Sequence, residues 1–326
     1  MRRRHLVLLF GSAVICWPLV ARAQQPIPVI GWLFGLSAQT GQPTLAAFRK
    51  ALGAEGYVEG KNVQVEYRWA DGHYERLPAM AADLVARSVT IIVTGGGDPP
   101  ALAAKAATST IPIVFVTGSD PVKEGLVPSL SRPGGNVTGA SIFSYEMESK
   151  RLGLLHEAVP AAKIIAVLVN PANPNVELQL HDVRQAAPHL GVEVVRFDAN
   201  TEGGITSAFA GMAQQKADGV LVTADPVFNG HRALLISLAV QYRLPAIYEF
   251  RSYVAEGGMM SYGTVLTDAY SQVGTYAGRI LKGEKPSDLP VVLPTNFQFA
   301  INLKTAKTLG VEIPPTLSAR ADEVIE

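Results

Sequence analysis

Short apolar runs alternate with amphipathic helical patterns along the first half of the chain. Each run has the length of a buried strand and is bounded by glycine, proline or polar residues. The predicted strands are residues 29–34, 63–69, 89–94, 111–116 and 136–141. Between them, apolar residues three or four positions apart indicate helices, as for Leu45, Phe48 and Leu52. Alternating strands and helices are typical of βαβ units around a parallel sheet.

The second half repeats this alternation. Its predicted strands are residues 164–169, 192–197, 219–223, 246–250 and 259–262. The segments between them again have one apolar face, for example Ile205, Phe209 and Met212. A long helix over 265–281 follows, and then a strand over 297–301. The pattern therefore predicts an α/β fold of two Rossmann-like lobes with parallel central sheets, joined by a multi-strand hinge.

The two halves also share a succession of motifs. "IIVTGGGDPP" and "IPIVFVTGSDPV" in the first half correspond to "VLVTADPVFN" and "LPAIYEFRSY" in the second, and each half then has Gly-Gly before its last strand. The alternative is that any two α/β domains look alike at this level. We expect one lobe at 27–141 with a return segment at about 263–290. The other spans 142–262, and its C-terminal segment, about 291–326, packs near the hinge. Chain crossings near 141, 262 and 290 would let the lobes rotate about a shared axis.

The first 23 residues predict an export signal. "MRRR" is a positive n-region, an apolar segment follows, and Ala21-Arg22-Ala23 matches a cleavage site. Arg3 and Arg4 also fit a loose twin-arginine signal. Cleavage after Ala23 would place the protein in the periplasm and remove Cys16, the single cysteine.

Charge and motifs narrow the chemistry further. Removal of the signal leaves 24 basic and 28 acidic residues, a net charge of −4, with no basic run. Nucleic acid is therefore a poor partner. The chain has no G-x-S-x-G, H-E-x-x-H or Walker lysine motif. "TIIVTGGGDPP" ends a strand, but Pro100 stands where a dinucleotide loop needs its last glycine. We therefore predict no cofactor, no metal, no catalytic residues and no enzyme activity.

Polar residues recur at the carboxyl ends of the predicted strands. Ligands of open α/β sheets bind at that edge, where helix N-termini present unpaired N–H groups. The predicted ligand-binding residues of the first lobe are Ser37, Thr94, Gly95, Gly96, Thr117 and Asp120. Those of the second lobe or hinge are Asn170, Asp225, Glu249 and Tyr262. Helix capping is the alternative role for Asp98, Asp120 and Asp225, each of which precedes a proline.

Glu249 is the most informative of these residues. It lies in the apolar segment "PAIYEF", where an unpaired carboxylate is costly, so a cationic ligand group or Arg251 would compensate it. Backbone amides and hydroxyls suit a carboxylate, and Asp225 and Glu249 suit an ammonium group. Trp32, Phe34, Tyr248 and Tyr262 would cover an apolar side chain, with core packing as their alternative role. This combination fits a zwitterion such as an amino acid.

Several stretches resemble one family of ABC-transporter substrate-binding proteins, related to the tryptophan/tyrosine-binding branch of periplasmic binding proteins. "SRPGGNVTG" is the most specific, and "PVIGWLFGLSAQTGQPTLAAF" and the tail "INLKTAKTLGVEIPPTLSARADEVIE" agree with it. The resemblance implies two Rossmann-like lobes, no catalysis, and delivery of a small solute to an ABC permease in the inner membrane. Gly97 departs from the family's aromatic amino-acid binders, in which a hydroxyl residue often follows the glycine, so the solute stays open.

The leading hypothesis is the periplasmic solute-binding component of an ABC importer, acting as a monomer. Its solute would be small and polar or zwitterionic, with aromatic and branched amino acids among the candidates. One alternative is a periplasmic enzyme on a doubly wound fold, and another is the ligand-sensing module of a signalling system.

Overall fold

A computed structural model describes residues 27–326, in which two β-sheets organise the chain. The first is a five-stranded parallel sheet in the order β2-β1-β3-β4-β5. Its strands are β1 Val29–Phe34, β2 Gln64–Trp69, β3 Ile91–Gly95, β4 Ile113–Thr117 and β5 Val137–Ser141. Helices α1 Ala38–Ala54, α2 Leu77–Ala86 and α3 Pro99–Ala107 connect them. This sheet and the helices on it are the first lobe.

The second sheet has seven strands in the order β12-β11-β10-β9-β8-β6-β7. Its strands are β6 Ile164–Val169, β7 Glu193–Asp198, β8 Gly219–Val222, β9 Ala246–Tyr248, β10 Met260–Thr264, β11 Phe297–Asn302 and β12 Glu323–Ile325. Its helices are α4 Glu148–Ala158, α5 Val176–Leu190, α6 Glu202–Gln214, α7 Pro226–Gly230, α8 Arg232–Gln241, α9 Arg251–Ala255, α11 Leu303–Leu309 and α12 Pro315–Ser318. Strand β11 runs antiparallel to β10, whereas β6 to β10 pair in parallel. This sheet and its helices form the second lobe.

Helix α10, Leu266–Leu281, follows the second sheet but packs on the first lobe against α1. Gly274 and Gly278 allow this close contact, since a Cβ at Gly274 would lie 2.5 Å from the carbonyl oxygen of Phe48. The chain therefore leaves the second sheet after β10, covers the first, and returns to the second with β11. The segment between α10 and β11 contacts the edge of the first sheet, where Ser141 N of β5 donates to Val292 O at 3.0 Å.

The chain thus passes between the lobes after Ser141, after Thr264, and between Val292 and Phe297. We call these three connections the hinge. The predicted α/β fold of two lobes with predominantly parallel sheets is confirmed, while the lobe boundaries given above stay a prediction. The export signal at 1–23 lies outside the described residues. Within 27–326, no helix is both long enough and apolar enough to cross a bilayer.

Several predicted strands differ from the structure by one or two residues at their ends, and two differences matter here. The strand predicted over 246–250 ends at Tyr248, and α9 begins two residues after Glu249. The segment "PVKEGLVPSL" forms consecutive turns and not a helix, because Gly125 adopts a positive φ of 68° and Leu126 N bonds back to Pro121 O.

Candidate functional site

A cavity of about 300 Å³ lies between the two lobes at the carboxyl ends of their strands. The loops after β1, β3, β4, β8 and β9 line it, together with the hinge and the start of α10. Parallel strands place their carboxyl ends at one edge of each sheet, which is why these distant loops meet. Four of the ten predicted ligand-binding residues line this cavity: Gly96, Thr117, Asp225 and Glu249.

One wall of the cavity is aromatic. Phe34 and Tyr270 lie with their ring centroids 6.1 Å apart, and both line the space, as do Tyr145 and Phe250. Trp32 stacks behind Phe34 at 5.6 Å and is itself buried in the core. Rings held in this way present a rigid apolar surface to a ligand.

Asp225 is a buried carboxylate with a dense set of donors. Asn173 Nδ2 donates to it at 2.8 Å and Asn170 Nδ2 at 3.2 Å. Val227 N, in the first turn of α7, also donates to it at 2.8 Å. The predicted capping role is therefore confirmed. Burial nevertheless raises the pKa of Asp225 to about 6, since loss of solvation outweighs these bonds.

Glu249 has fewer partners than Asp225. Ser144 Oγ donates to its Oε1, and the buried Arg151 is the nearest cation that acts on it. Burial raises the pKa of Glu249 to about 7, opposed mainly by Arg151. The expectation that Arg251 compensates Glu249 is wrong, because Arg251 pairs with Glu323 at the surface. Arg151 is itself paired with Glu148 at 3.0 Å, so the ionised form of Glu249 adds a negative charge that Arg151 only partly balances.

The glycine loop after β3 is shaped by contacts on both sides. Gly96 N donates to Tyr270 Oη at 3.1 Å, so α10 fixes this loop. Gly96 and Gly97 adopt positive φ values of 73° and 108°. A Cβ at Gly97 would lie 2.9 Å from Pro226 of the second lobe, so only glycine allows the lobes to approach this closely.

Asp98 does not cap α3, and the alternative reading of it as a helix cap is wrong. Although it precedes the helix, its side chain makes no bond to the helix amides. Instead, Asp98 Oδ1 accepts from Gly118 N at 2.8 Å, and Oδ2 accepts from Asn175 Nδ2 at 2.9 Å. Because Asn175 belongs to the second lobe, Asp98 connects the two lobes directly.

The six other predicted site residues do not line the cavity. Ser37 caps α1, Thr94 is buried, and a Cβ on Gly95 would contact Tyr270. Asp120 accepts a hydrogen bond from a backbone amide of the turn that follows it, and the Tyr262 ring stacks on Phe297. Asn170 donates a hydrogen bond to the carboxylate of Asp225. Of these, Asn170 bears most directly on the cavity.

Several lining residues were not predicted from the sequence. Thr264 lines the cavity because β10 continues two residues beyond its predicted end, and its buried Oγ1 has no partner. Tyr270 lies three residues before Val273 on the apolar face of α10, so helical periodicity could have identified it. Tyr145 and Arg232 have no comparable sequence signal.

Among residues 27–326, no cluster of three or more His, Cys, Asp or Glu side chains is arranged to hold a metal ion.

Comparison with known proteins identifies the family. The family model described as "ABC transporter substrate binding protein" matches residues 36–325. A tyrosine-binding protein of Clostridioides difficile is 28% identical over 282 residues, which are 85% of this chain and 81% of that protein.

Two solved structures have the same architecture. A conserved domain protein from Vibrio cholerae superimposes with a TM-score of 0.84 and 29% identity, over 91% of this chain and 99% of that one. An ABC domain from Streptococcus pneumoniae in complex with L-Trp gives 0.81 and 26%, again over 91% and 99%. The family resemblance inferred from the sequence is confirmed. The matched family consists of solute-binding proteins and not enzymes, which excludes the enzyme alternative.

Proposed function

Because the chain belongs to the family of ABC transporter substrate-binding proteins, we propose that it is the exported solute-binding component of an ABC importer. We propose further that it binds an aromatic amino acid in the cavity between its lobes. The observation that carries this proposal is the pairing of an aromatic wall with buried, incompletely compensated carboxylates in one enclosed space.

The acidic side of the cavity suits the ammonium group. Glu249 is 7% exposed and Ser144 Oγ donates to its Oε1, so an ammonium group at the other carboxylate oxygen would add a cationic partner. A buried carboxylate without a full set of partners is costly, and a bound cation removes that cost. Asp225, on the same lining, adds to the negative potential.

The aromatic wall suits a flat apolar side chain. Phe34 and Tyr270 face the same space, and aromatic rings prefer offset or edge-to-face contact with another ring. The relatives support this assignment, since one is named a tyrosine-binding protein and another was solved with L-Trp.

The proposal includes export and a membrane partner. The leader at 1–23, with cleavage after Ala23, would deliver the mature chain to the periplasm, where it would pass its solute to an ABC permease in the inner membrane. N-terminal sequencing of the protein from a periplasmic fraction would begin at Gln24. Retention of the leader would contradict this part of the proposal.

Isothermal titration calorimetry of the mature chain with L-tyrosine, L-tryptophan, L-phenylalanine and L-leucine tests the solute. We expect saturable binding that favours the aromatic amino acids. Glu249→Gln should weaken it by about ten- to a hundredfold, because a charge-assisted hydrogen bond is lost. Glu193→Gln, on an exposed strand residue, is the matched control and should bind like wild type. Wild-type affinity in Glu249→Gln, or no binding of any amino acid, would contradict the proposal.

A further inference from the structure

The amide groups expected to hold a carboxylate are largely engaged or absent. Gly96 N donates to Tyr270 and Gly118 N donates to Asp98. Helix α3 begins with Pro99 and Pro100, which carry no N–H, and α7 begins with Pro226. The starts of α3 and α7 therefore offer less to an anion than their position in the fold suggests.

Arg232 lies at the start of α8 and lines the same cavity. Its Nη1 donates to the carbonyl and side-chain oxygens of Asn229 at 3.2 and 2.8 Å, and its Nη2 donates to Glu256 at 2.6 Å. The guanidinium lies over the Tyr253 ring, 5.7 Å from its centroid. These contacts hold the group in one orientation, while its Nε is buried with no partner.

An arginine held in this way is suited to an anionic ligand. A guanidinium presents several N–H donors in a fixed plane that matches a carboxylate. The cavity lining contains two arginines, and each is paired with a glutamate, Arg251 with Glu323 and Arg232 with Glu256. Arg232 is the more buried of the two, with side-chain exposures of 23% and 46%, so its guanidinium would interact more strongly with an anion in the cavity.

Arg232 and Glu249 are also placed to act on one small molecule. Both line the cavity, and Arg232 lies over the ring of Tyr253, which stacks at 4.5 Å on Tyr248, the residue before Glu249. A ligand that carries an ammonium and a carboxylate group on neighbouring atoms would match one negative and one positive side chain of this lining.

We propose that Arg232 binds the carboxylate of the solute, so that the site selects zwitterionic amino acids over the corresponding amines. This inference rests on the proposed function and adds a specificity-determining residue to it. An amine without the carboxylate would pair with Glu249 but bring no anionic group to the Arg232 guanidinium.

The test compares L-tyrosine with tyramine, and L-tryptophan with tryptamine, by calorimetry on wild type and Arg232→Met. Wild type should prefer each amino acid over its amine by at least about tenfold, the worth of one charge-assisted hydrogen bond. Arg232→Met should lose about ten- to a hundredfold of amino-acid affinity and keep its amine affinity within about twofold, so that the preference disappears.

Arg279→Met is the matched control. Arg279 also lies 5.7 Å from the centroid of a tyrosine ring and 2.6 Å from a glutamate, but it stands on α10 outside the cavity lining. This control should keep the wild-type preference. Arg232→Lys keeps the positive charge and loses the planar guanidinium, so its affinity for amino acids should lie between those of wild type and Arg232→Met. It replaces Arg232→Met in the test if that variant does not fold.

The possible failures are distinguishable. If wild type binds amines as tightly as amino acids, or if Arg232→Met keeps the preference, Arg232 does not bind the carboxylate and the proposed function still stands. An equal loss for amines and amino acids in Arg232→Met would show a structural role and also overturn the inference. If wild type binds neither class, the proposed function itself fails, and the inference fails with it.

Discussion

The hydrogen bond between Asp98 and Asn175 should control closure of the two lobes. Asp98 Oδ2 and Asn175 Nδ2 are 2.9 Å apart, and the two residues are 1% and 7% exposed. The same bond is linked to the cavity, since Asn175 N donates to Asn173 Oδ1 and Asn173 Nδ2 donates to Asp225, both at 2.8 Å. Because its partners belong to different lobes, the Asp98–Asn175 bond forms only where the lobes meet.

Asn175→Asp is the informative perturbation. It replaces a donor with a second carboxylate facing Asp98 and leaves the bond from Gly118 N to Asp98 in place. A buried hydrogen bond to a charged group contributes about 1.5–3 kcal/mol, which corresponds to a loss of about ten- to a hundredfold in apparent affinity. Repulsion between the two carboxylates adds to this loss unless one of them takes up a proton.

The reciprocal double variant Asp98→Asn/Asn175→Asp is the control. In it, the amide at position 98 can accept from Gly118 N and donate to the carboxylate at position 175, which restores the bond with its direction reversed. Calorimetry with L-tyrosine should show weak binding by Asn175→Asp and recovery in the double variant. Small-angle scattering should show the ligand-induced decrease in radius of gyration lost and regained in parallel. Unchanged affinity in Asn175→Asp, or no recovery in a folded double variant, would refute this role.

Two further predictions concern buried charges. Affinity for L-tyrosine should fall about tenfold per pH unit below about 7, because burial raises the pKa of Glu249 to about 7 and only its ionised form pairs with ammonium. Calorimetry at pH 5.5 to 8 should show this fall in wild type and a weaker one in Glu249→Gln, and equal slopes would contradict it. Arg151→Met should lower the free energy of unfolding by about 3–5 kcal/mol, since it leaves the fully buried Glu148 without its partner at 3.0 Å. Urea denaturation measures this change, Glu148→Gln in the same background should recover part of it, and a loss below about 1 kcal/mol would contradict the reasoning.

The order of strands and helices followed from local patterns. Strands β1 and β6 match their predicted bounds at both ends, because each is a continuous apolar run bounded by turn residues. Prediction failed where backbone conformation depended on more than periodicity. "PVKEGLVPSL" was predicted to be a helix, but Gly125 at positive φ and Pro128 within the segment favour turns.

The site was predicted only in part. Thr117 ends β4, and Gly96, Asp225 and Glu249 follow the ends of β3, β8 and β9, so the strand pattern was enough to predict these four residues at the edge that lines the cavity. Ser37, Asp120 and Tyr262 were predicted from similar positions but do not line the cavity. A position near the end of a strand places a residue at the ligand-binding edge of the sheet, but it does not determine where the side chain points.

Local patterns were enough to predict the α/β class, the two lobes and the polar edge of each sheet, because hydrophobic period and turn residues act over a few positions, and motifs such as "SRPGGNVTG" indicated the family. Which side chains meet depends on the tertiary structure. Tyr270 reaches Gly96 across 174 positions, and Asp98 reaches Asn175 across 77, because the chain returns to the first lobe through α10 and the lobes contact each other. Such pairs depend on the relative placement of elements, which no local pattern records.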